Sequence, residues 1–511
     1  MNVAANARTL QLHAADNVAV ALEDLPAGMP LGDGAISTRC PIPLGHKVAL
    51  FIIAPGVPVV KCGQPIGTAI KSIAPGEHVH IHNVSELSGG FAHGLSAKGE
   101  QAGKVQHSAA GPGTFRGFRR PDGRMGTRNY VGILTTVNCS ATVARRIAAA
   151  FTAPGALAGF PNVDGVVAFT HPTGCAMDRN SEGYTVLERV TNGYLSHPNF
   201  GAVLLIGLGC EVNQGVGYGR QGADDRPFQF YNIQDSGGTT AAVADGVARI
   251  REFLPRVNAV QREAVPLSGL KVGLQCGGSD AFSVISANPA LGCASDLLVS
   301  WGGTAILSET PEVASGAAGL LQRCANQSVA ETLRRRFQWW QEYTRRHGTT
   351  LEKNPAPGNI AGGITTLAEK ALGAIAKGGS GQLAEVREYA EPVNGPGLVF
   401  MDSPGFDPVS ATGQIAAGAN LICFTTGRGS TFGSIPAPCI KLASNTRMFR
   451  HMQDDMDINC GTIVDGESTL EECGADIAEL MLRTAGGTPT KSELLGIGES
   501  EFAPWIMGAV L

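Results

Sequence analysis

The sequence predicts an α/β protein with largely parallel sheets, preceded by a small all-β module. Two observations carry that expectation. Seven short β-branched or apolar runs stop abruptly at clusters of Gly, Cys, Asn, Ser, Thr, Asp or Glu, and helix-forming sequence commonly follows. Upstream of them, residues 17–85 hold only short strand-like runs broken by Pro-Gly or Gly, without helical periodicity.

In chain order the module's runs are NVAVALEDL, KVALFIIA, VVKCG, IGTAIKSI and HVHIHNV, and the module is expected over residues 1–90. Residues 91–122, rich in Gly, Ser and Ala, read as a linker or an active-site loop. The seven runs are VGILTTVNCS (131–140), VVAFTHPTGC (166–175), AVLLIGLGCE (202–211), KVGLQCGGSD (271–280), TAILSETPE (304–312), GLVFMDSPGF (397–406) and LICFTTGRGS (421–430). Helical stretches such as ATVARRIAAAF between them fit right-handed βαβ units. A central α/β domain is expected over 123–395 and a C-terminal α/β domain over 396–511. Ligands of such sheets bind beyond the carboxyl ends of the strands, so the chemistry belongs in the punctuation.

With 511 residues, 43% hydrophobic and 16% charged, the chain is that of a compact multi-domain enzyme, not a disordered protein. A net charge of −5 gives no reason to expect nucleic acid or an acidic membrane as partner. The basic run Arg334–Arg336 with Arg345 and Arg346 flanks Val329, Leu333, Phe337 and Trp340, which fits an amphipathic helix with a solvated basic face. No apolar leader is evident, and VALFIIA is far shorter than the roughly 20 residues of a membrane span. The expectation is a soluble, cytoplasmic homodimer.

Twelve cysteines at irregular spacings do not read as a disulfide framework, and the lack of a C-x-x-C pair gives poor support to a zinc ribbon or a ferredoxin-type cluster. Cys139, Cys175, Cys210 and Cys276 nevertheless fall at strand ends, either as small packing residues or as thiolates near a metal or substrate. GLGCE lacks the third glycine of a dinucleotide fingerprint, and no loop ends in Gly-Lys-Ser/Thr, so neither a nicotinamide nor a nucleotide is expected.

The densest candidate site is His78-Val79-His80-Ile81-His82-Asn83. On a strand the three histidines share one face while Val79 and Ile81 turn to the core, and imidazoles two residues apart can reach one metal ion. His46 and Lys61 are candidate acid-base groups. Arg128 beside Asn129 offers a guanidinium suited to clamping carboxylates, and the segments 276–280 and 425–430 offer backbone amides and hydroxyls that can cradle an anion. Glu211, Asp280, Glu309, Asp402 and Asp465 supply carboxylates at strand ends or in loops.

GHKVAL, the Gly-Val-Pro-Val-Val-Lys run, IGTAI and HVHIHN together resemble the SAF-type β-clip module. DGRMGTRNYVGILTTVNCSATVA, HPTGC, GLGCEVNQ, QCGGSDAFSVISANPALGCASDLL, GGTAILSETPE, TTGRGSTFG, PAPCIKLASNT and MDINCGTI are similar to the altronate and galactarate dehydratase family, from about residue 17 to the end. The resemblance implies a hydro-lyase that converts a sugar acid to a 2-keto-3-deoxy acid using a divalent metal, iron(II) or manganese(II), with magnesium or calcium as alternatives. One departure is visible: Cys62 follows Lys61 where an aromatic residue, commonly Tyr, is expected.

Removing the proton beside a carboxylate demands stabilisation of the enolate as it forms, which a metal assisted by Arg or Lys provides. On this basis His80 and His82 are expected to bind the metal, with Glu211 or Glu309 as third ligand. Arg128, Arg428 and Lys441 are expected to bind carboxylate, with Asn129, Asn138, Ser279 and Asp280 completing the substrate contacts. Competing expectations are a sulfo-lyase of the same family acting on a sulfolactate-like acid, an iron–sulfur enzyme, and a non-catalytic sugar-acid binder.

Overall fold

The computed structural model describes residues 8–32, 34–87, 111–218 and 225–508. All seven runs form strands, and every one lies in a parallel sheet. The first sheet contains β1 (Tyr130–Thr135), β2 (Gly165–Phe169), β3 (Phe200–Gly207) and β4 (Phe228–Asn232) in the order β2-β1-β3-β4. The second contains β5 (Lys271–Cys276), β6 (Thr304–Leu307), β7 (Leu383–Arg387), β8 (Gly397–Met401), β9 (Leu421–Thr426), β10 (Cys439–Ala443) and β11 (Ile458–Asn459), in the order β7-β8-β6-β5-β9-β10-β11.

Both orders contain a switch point. From β5 the chain turns first to β6 and later to β9 on the opposite side, so the carboxyl ends of β5 and β9 flank a crevice of the kind that binds ligands in open sheets. In the first sheet the switch lies between β1 and β3, with β2 on the far side of β1.

The expected boundary at 395/396 falls inside the second sheet: β8 pairs parallel with β6 and β7, whose sequences precede it. The change of sheet occurs near residues 260–270. There Glu263–Pro266 pairs antiparallel with Thr114–Arg119, so the end of the expected linker is a strand, while its residues 91–110 lie outside the described ones. The two sheets share an apolar cluster in which Leu134, Phe169 and Val203 of the first meet Val399, Met401 and Phe424 of the second. The expected basic amphipathic helix spans Gln327–Arg346 and buries Ala330, Leu333, Phe337 and Trp340.

Residues 8–87 form the small antiparallel β module, with sheets built on Val18–Ala21, Lys47–Ala49 and Pro58–Lys61. The module seats on the amino end of α1 (Leu367–Ala376). Glu86 accepts a 2.6 Å hydrogen bond from Leu367 N, and Thr366 Oγ1 donates to Ile66 O. No described helix is long and apolar enough to cross a membrane.

Candidate functional site

The strand expected through His82 stops at Val79. The Asn83 carboxamide terminates it: Oδ1 accepts from His80 N at 2.9 Å and Nδ2 donates to His78 O at 2.8 Å, turning the chain. Alternation therefore fails beyond His80, and both Ile81 and His82 are exposed. The His82 ring centroid lies 5.2 Å from that of His78, and His46 joins these histidines with its own centroid 5.1 Å from that of His78. It leads into the neighbouring strand Lys47–Ala49, which pairs with His78–Val79, and its Nδ1 stands 3.0 Å from His78 Nε2. The His46 and His80 ring centroids are 4.7 Å apart.

Two further contacts fix which nitrogens are available. His46 Nε2 lies 3.4 Å from Ala361 O and His80 Nδ1 lies 3.1 Å from Thr365 Oγ1, leaving His46 Nδ1 and His80 Nε2 uncommitted to the segment 361–365. Burial, aided by the charges of neighbouring His and Lys47, lowers His78 to about 4 and His80 to about 3. The cluster is therefore neutral near pH 7, the form that binds metal.

Beneath the histidines, Glu369 of α1 accepts from Lys47 Nζ at 2.9 Å and Lys61 Nζ at 2.8 Å. Burial opposes ionisation, yet the two ammonium groups hold this carboxyl down at about 2. Lys47 also donates to Gly363 O at 2.6 Å, so Lys61 and Lys47 belong to an ion-paired floor that joins module to body. Thr-x-x-Glu at 366–369 reads in sequence as a helix cap, and Thr366 does cap Glu369 N. The glutamate carboxylate is instead the counter-ion of two distant lysines, which local spacing does not reveal.

The opposite wall is the switch crevice of the second sheet. Asp280, beyond β5, accepts from Ser283 Oγ at 2.9 Å, Ser444 Oγ at 2.7 Å and Asn445 Nδ2 at 3.0 Å. It organises the loop instead of offering itself to a ligand. Exposed Arg428, beyond β9, crosses the same loop. A Cβ on Gly362 would lie 3.1 Å from Asp280 Cβ and 3.3 Å from Arg428 Cδ, so this glycine lets segments 278–281, 361–363 and 427–428 converge. Ala281 N donates to Gly362 O at 2.9 Å, next to the carbonyl that meets His46. Ser279 is buried at this wall, its carbonyl receiving Asn359 Nδ2 at 2.9 Å. Lys441 is buried behind it, donating to Ser430 O at 3.3 Å.

Several expected site residues lie elsewhere. Arg128 and Asn129 open β1, at the amino end of the strand and not its carboxyl end. Arg128 forms a bidentate pair with Glu493 at 2.6 and 2.8 Å, and its Nη1 donates to Thr484 O at 2.8 Å. Asn129 Nδ2 donates to Asn162 O and Val257 O. Both therefore tie segments together. Glu211 is held at the carboxyl edge of the first sheet by Thr136 Oγ1, Leu208 N and Gly209 N, and Asn138 is exposed on the same edge.

Glu309 lies in a buried charge cluster with Cys276, Glu312, Lys370 and Lys377. Lys377 Nζ is 3.1 Å from Glu309 Oε2 and 2.9 Å from Cys276 Sγ, and Lys370 Nζ is 2.7 Å from Glu312 Oε1. Cys276, Glu309 and Glu312 offer three ligand atoms within 4.8 Å of one another. Two lysines already supply the cationic charge there, so the cluster reads as a neutralised interior. Glu309 adopts φ +71°, a strained left-handed conformation for a glutamate.

Comparison with known proteins agrees with this architecture. The altronate/galactarate dehydratase SAF domain matches residues 7–87, the galactarate dehydratase/altronate hydrolase second domain matches 117–258, and the galactarate/altronate dehydratase C-terminal domain matches 267–510. The chain is 34% identical to an altronate dehydratase of Bacillus subtilis (strain 168), covering 94% of this chain and 95% of that one. It is 37% identical to a galactarate dehydratase (L-threo-forming) of Escherichia coli (strain K12), covering 94% and 92%. A (2R)-sulfolactate sulfo-lyase subunit beta of Chromohalobacter salexigens is 34% identical over 75% of this chain and 95% of its own.

Proposed function

Since the chain belongs to the galactarate/altronate dehydratase family, we propose that it is a metal-dependent hydro-lyase. It dehydrates a sugar acid of the altronate or galactarate type to a 2-keto-3-deoxy acid through an enolate. The observation that carries this reading is the 3.0 Å approach of His46 Nδ1 to His78 Nε2 beside the crevice that presents Arg428.

The donor set fits a divalent ion such as iron(II) or manganese(II). His46 Nδ1 and His78 Nε2, 3.0 Å apart, would hold it as two neutral imidazole ligands. Among the described His, Cys, Asp and Glu, no third ligand atom lies within 4.8 Å of both, which leaves room for oxygens of a hydroxy acid. When bound, the ion supplies positive charge to the substrate carboxylate and 2-hydroxyl.

The chain's own residues do the rest. Arg428 holds a carboxylate through its guanidinium, while Asp280 and Gly362 fix the loop beneath it. His80, oriented by Thr365, accepts the C2 proton at Nε2; burial first and Lys47 second lower its basicity, and the negative charge of the bound acid opposes that lowering. The proton held by the His80 imidazolium goes to the departing 3-hydroxyl, which leaves as water, and the enol so formed tautomerises to the 2-keto acid, while the floor of Lys47, Lys61 and Glu369 keeps the module seated.

The test is an anaerobic screen of hexonic and hexaric acids with added iron(II) or manganese(II), read as 2-keto acid formation. Turnover of one epimer, abolished by chelation, is expected; tight binding without turnover across the panel would defeat the reading. The sulfo-lyase match motivates including sulfolactate, with sulfite release as its separate readout.

A further inference from the structure

Of the twelve cysteines, six are buried and three are half-buried, and Cys139, Cys175 and Cys210 are exposed. Thiols rank among the most buried side chains, so the placement of these three is informative. All three sit just beyond the carboxyl ends of three adjacent strands, β1, β2 and β3. Pairing of Leu134 with Phe169 and of Thr135 with Ile206 brings those ends level. Cys139 and Cys210 flank the switch point of the first sheet, and Cys175 borders it across β1.

The three loops are built into one platform. Asn138 N donates to Thr173 O at 3.1 Å, Val212 N to Cys175 O at 3.1 Å, Asn213 N to Gly174 O at 3.0 Å, and Asn213 Nδ2 to Thr136 O at 2.8 Å. Gly174 and Gly209 precede two of the cysteines at φ +105° and +127°, and a Cβ on them would fall 2.1 Å from Thr136 O and 2.5 Å from Gln234 Oε1. Only glycine allows these approaches. Below, the Glu211 carboxylate binds Thr136, Leu208 N and Gly209 N, fixing the turn that carries Cys210. Gln234 Nε2 donates to Cys210 Sγ at 3.5 Å, a contact of the kind that tunes a metal-bound thiolate. At the same edge His171 is buried, Nε2 engaging Thr135 O at 2.9 Å while Nδ1 has no protein partner.

The three thiols do not stand within 4.8 Å of one another. A single zinc ion, with bonds of about 2.3 Å, draws its thiolates to within about 4 Å. A cubane cluster spreads its thiolates farther. We propose that Cys139, Cys175 and Cys210 hold a [4Fe–4S] cluster as three thiolate ligands, its fourth iron open to water or to a hydroxy-acid oxygen. This second centre is separate from the histidine site and does not depend on it.

The full-length chain, purified anaerobically or reconstituted with ferrous iron and sulfide, is expected to show visible sulfide-to-iron absorption and about four iron and four acid-labile sulfide per chain beyond any iron at the histidines. Each of Cys139→Ser, Cys175→Ser and Cys210→Ser loses the absorption and the sulfide, whereas Cys40→Ser keeps both. In the unmutated protein the three thiols become protected from alkylation on reconstitution, a readout independent of how the variants fold. Wild-type protein that takes up no sulfide, a cluster retained in all three serine variants, or zinc as the sole thiolate-bound metal would overturn the assignment.

Discussion

His46 and His78, separated by more than thirty residues in sequence, meet at 3.0 Å across neighbouring strands of the β module. His82, in the turn made by Asn83, is exposed, with its ring centroid 5.2 Å from that of His78. A sharp contrast follows. His78→Ala is expected to lose the divalent ion and at least about 100-fold in turnover, with His46→Ala behaving alike, while His82→Ala stays within a few-fold of the parent. Metal analysis of dialysed protein beside 2-keto acid formation decides it; an inert His78→Ala together with a dead His82→Ala would restore the strand-alternation assignment.

Glu369 neutralises two buried lysines from the module, so removing its charge strands both. Glu369→Gln is expected to cost about 3–5 kcal/mol, read as a large fall in thermal midpoint. Limited proteolysis should release the module first, because Lys47 and Lys61 are its buried charge contacts with α1.

Arg128 was expected to bind substrate, and its environment predicts a structural phenotype. Its guanidinium is committed to Glu493 and to the carbonyls of Thr127 and Thr484. Arg128→Met should destabilise by about 3–5 kcal/mol while KM at permissive temperature stays within about two-fold of the parent. A KM raised tenfold in a folded variant would return Arg128 to the site.

These cases show what the sequence made legible. Strand-end punctuation located seven of the eleven strands of the two parallel sheets, missing Phe228–Asn232, Leu383–Arg387, Cys439–Ala443 and Ile458–Asn459, and it located the switch crevice holding Asp280 and Arg428, because apolar period and turn chemistry are local properties. Arg128 sits beside a strand like the others but at its amino end, and local composition does not distinguish the two ends. Period-two reasoning places three histidines on one strand face, but the strand holds only His78 and Val79, because one Asn83 side chain ends it. Glu369 escaped because its partners lie more than three hundred residues away.

His197 gives a pH prediction. Asn199 N donates to its Nδ1 at 3.1 Å and its Nε2 donates to Ala419 O at 3.0 Å, which fixes the neutral ring. Burial lowers it to about 3 from 6.5. Above about pH 6.5 the ring is neutral in both folded and unfolded chains and contributes no pH dependence. Below that, the unfolded chain takes up a proton that the native state refuses, so stability falls with falling pH by up to about 1.4 kcal/mol per unit until about pH 3. Denaturant titrations across this window should be steeper for the parent than for His197→Gln.

Arg428 is the exposed cation of the switch crevice, with its stem against Gly362 and its backbone N bonded to Gly278 O at 2.8 Å. Its guanidinium is therefore free to reach a ligand from a fixed base. A charge-assisted hydrogen bond to a carboxylate contributes about 1.5–3 kcal/mol, so Arg428→Ala should lower kcat/KM by roughly 10- to 150-fold without changing the melting temperature. Lys restores charge but not the planar fork, so Arg428→Lys should recover only part of the loss. A hexaric acid carries a second carboxylate and a hexonic acid does not. If Arg428 holds the distal carboxylate, the loss falls chiefly on hexaric substrates; if it holds the C1 carboxylate that adjoins the reacting carbon, both classes fall together and kcat falls with KM unchanged. Steady-state kinetics of the parent and both variants on one acid of each class separates these outcomes, and an unchanged kcat/KM on both removes Arg428 from the site.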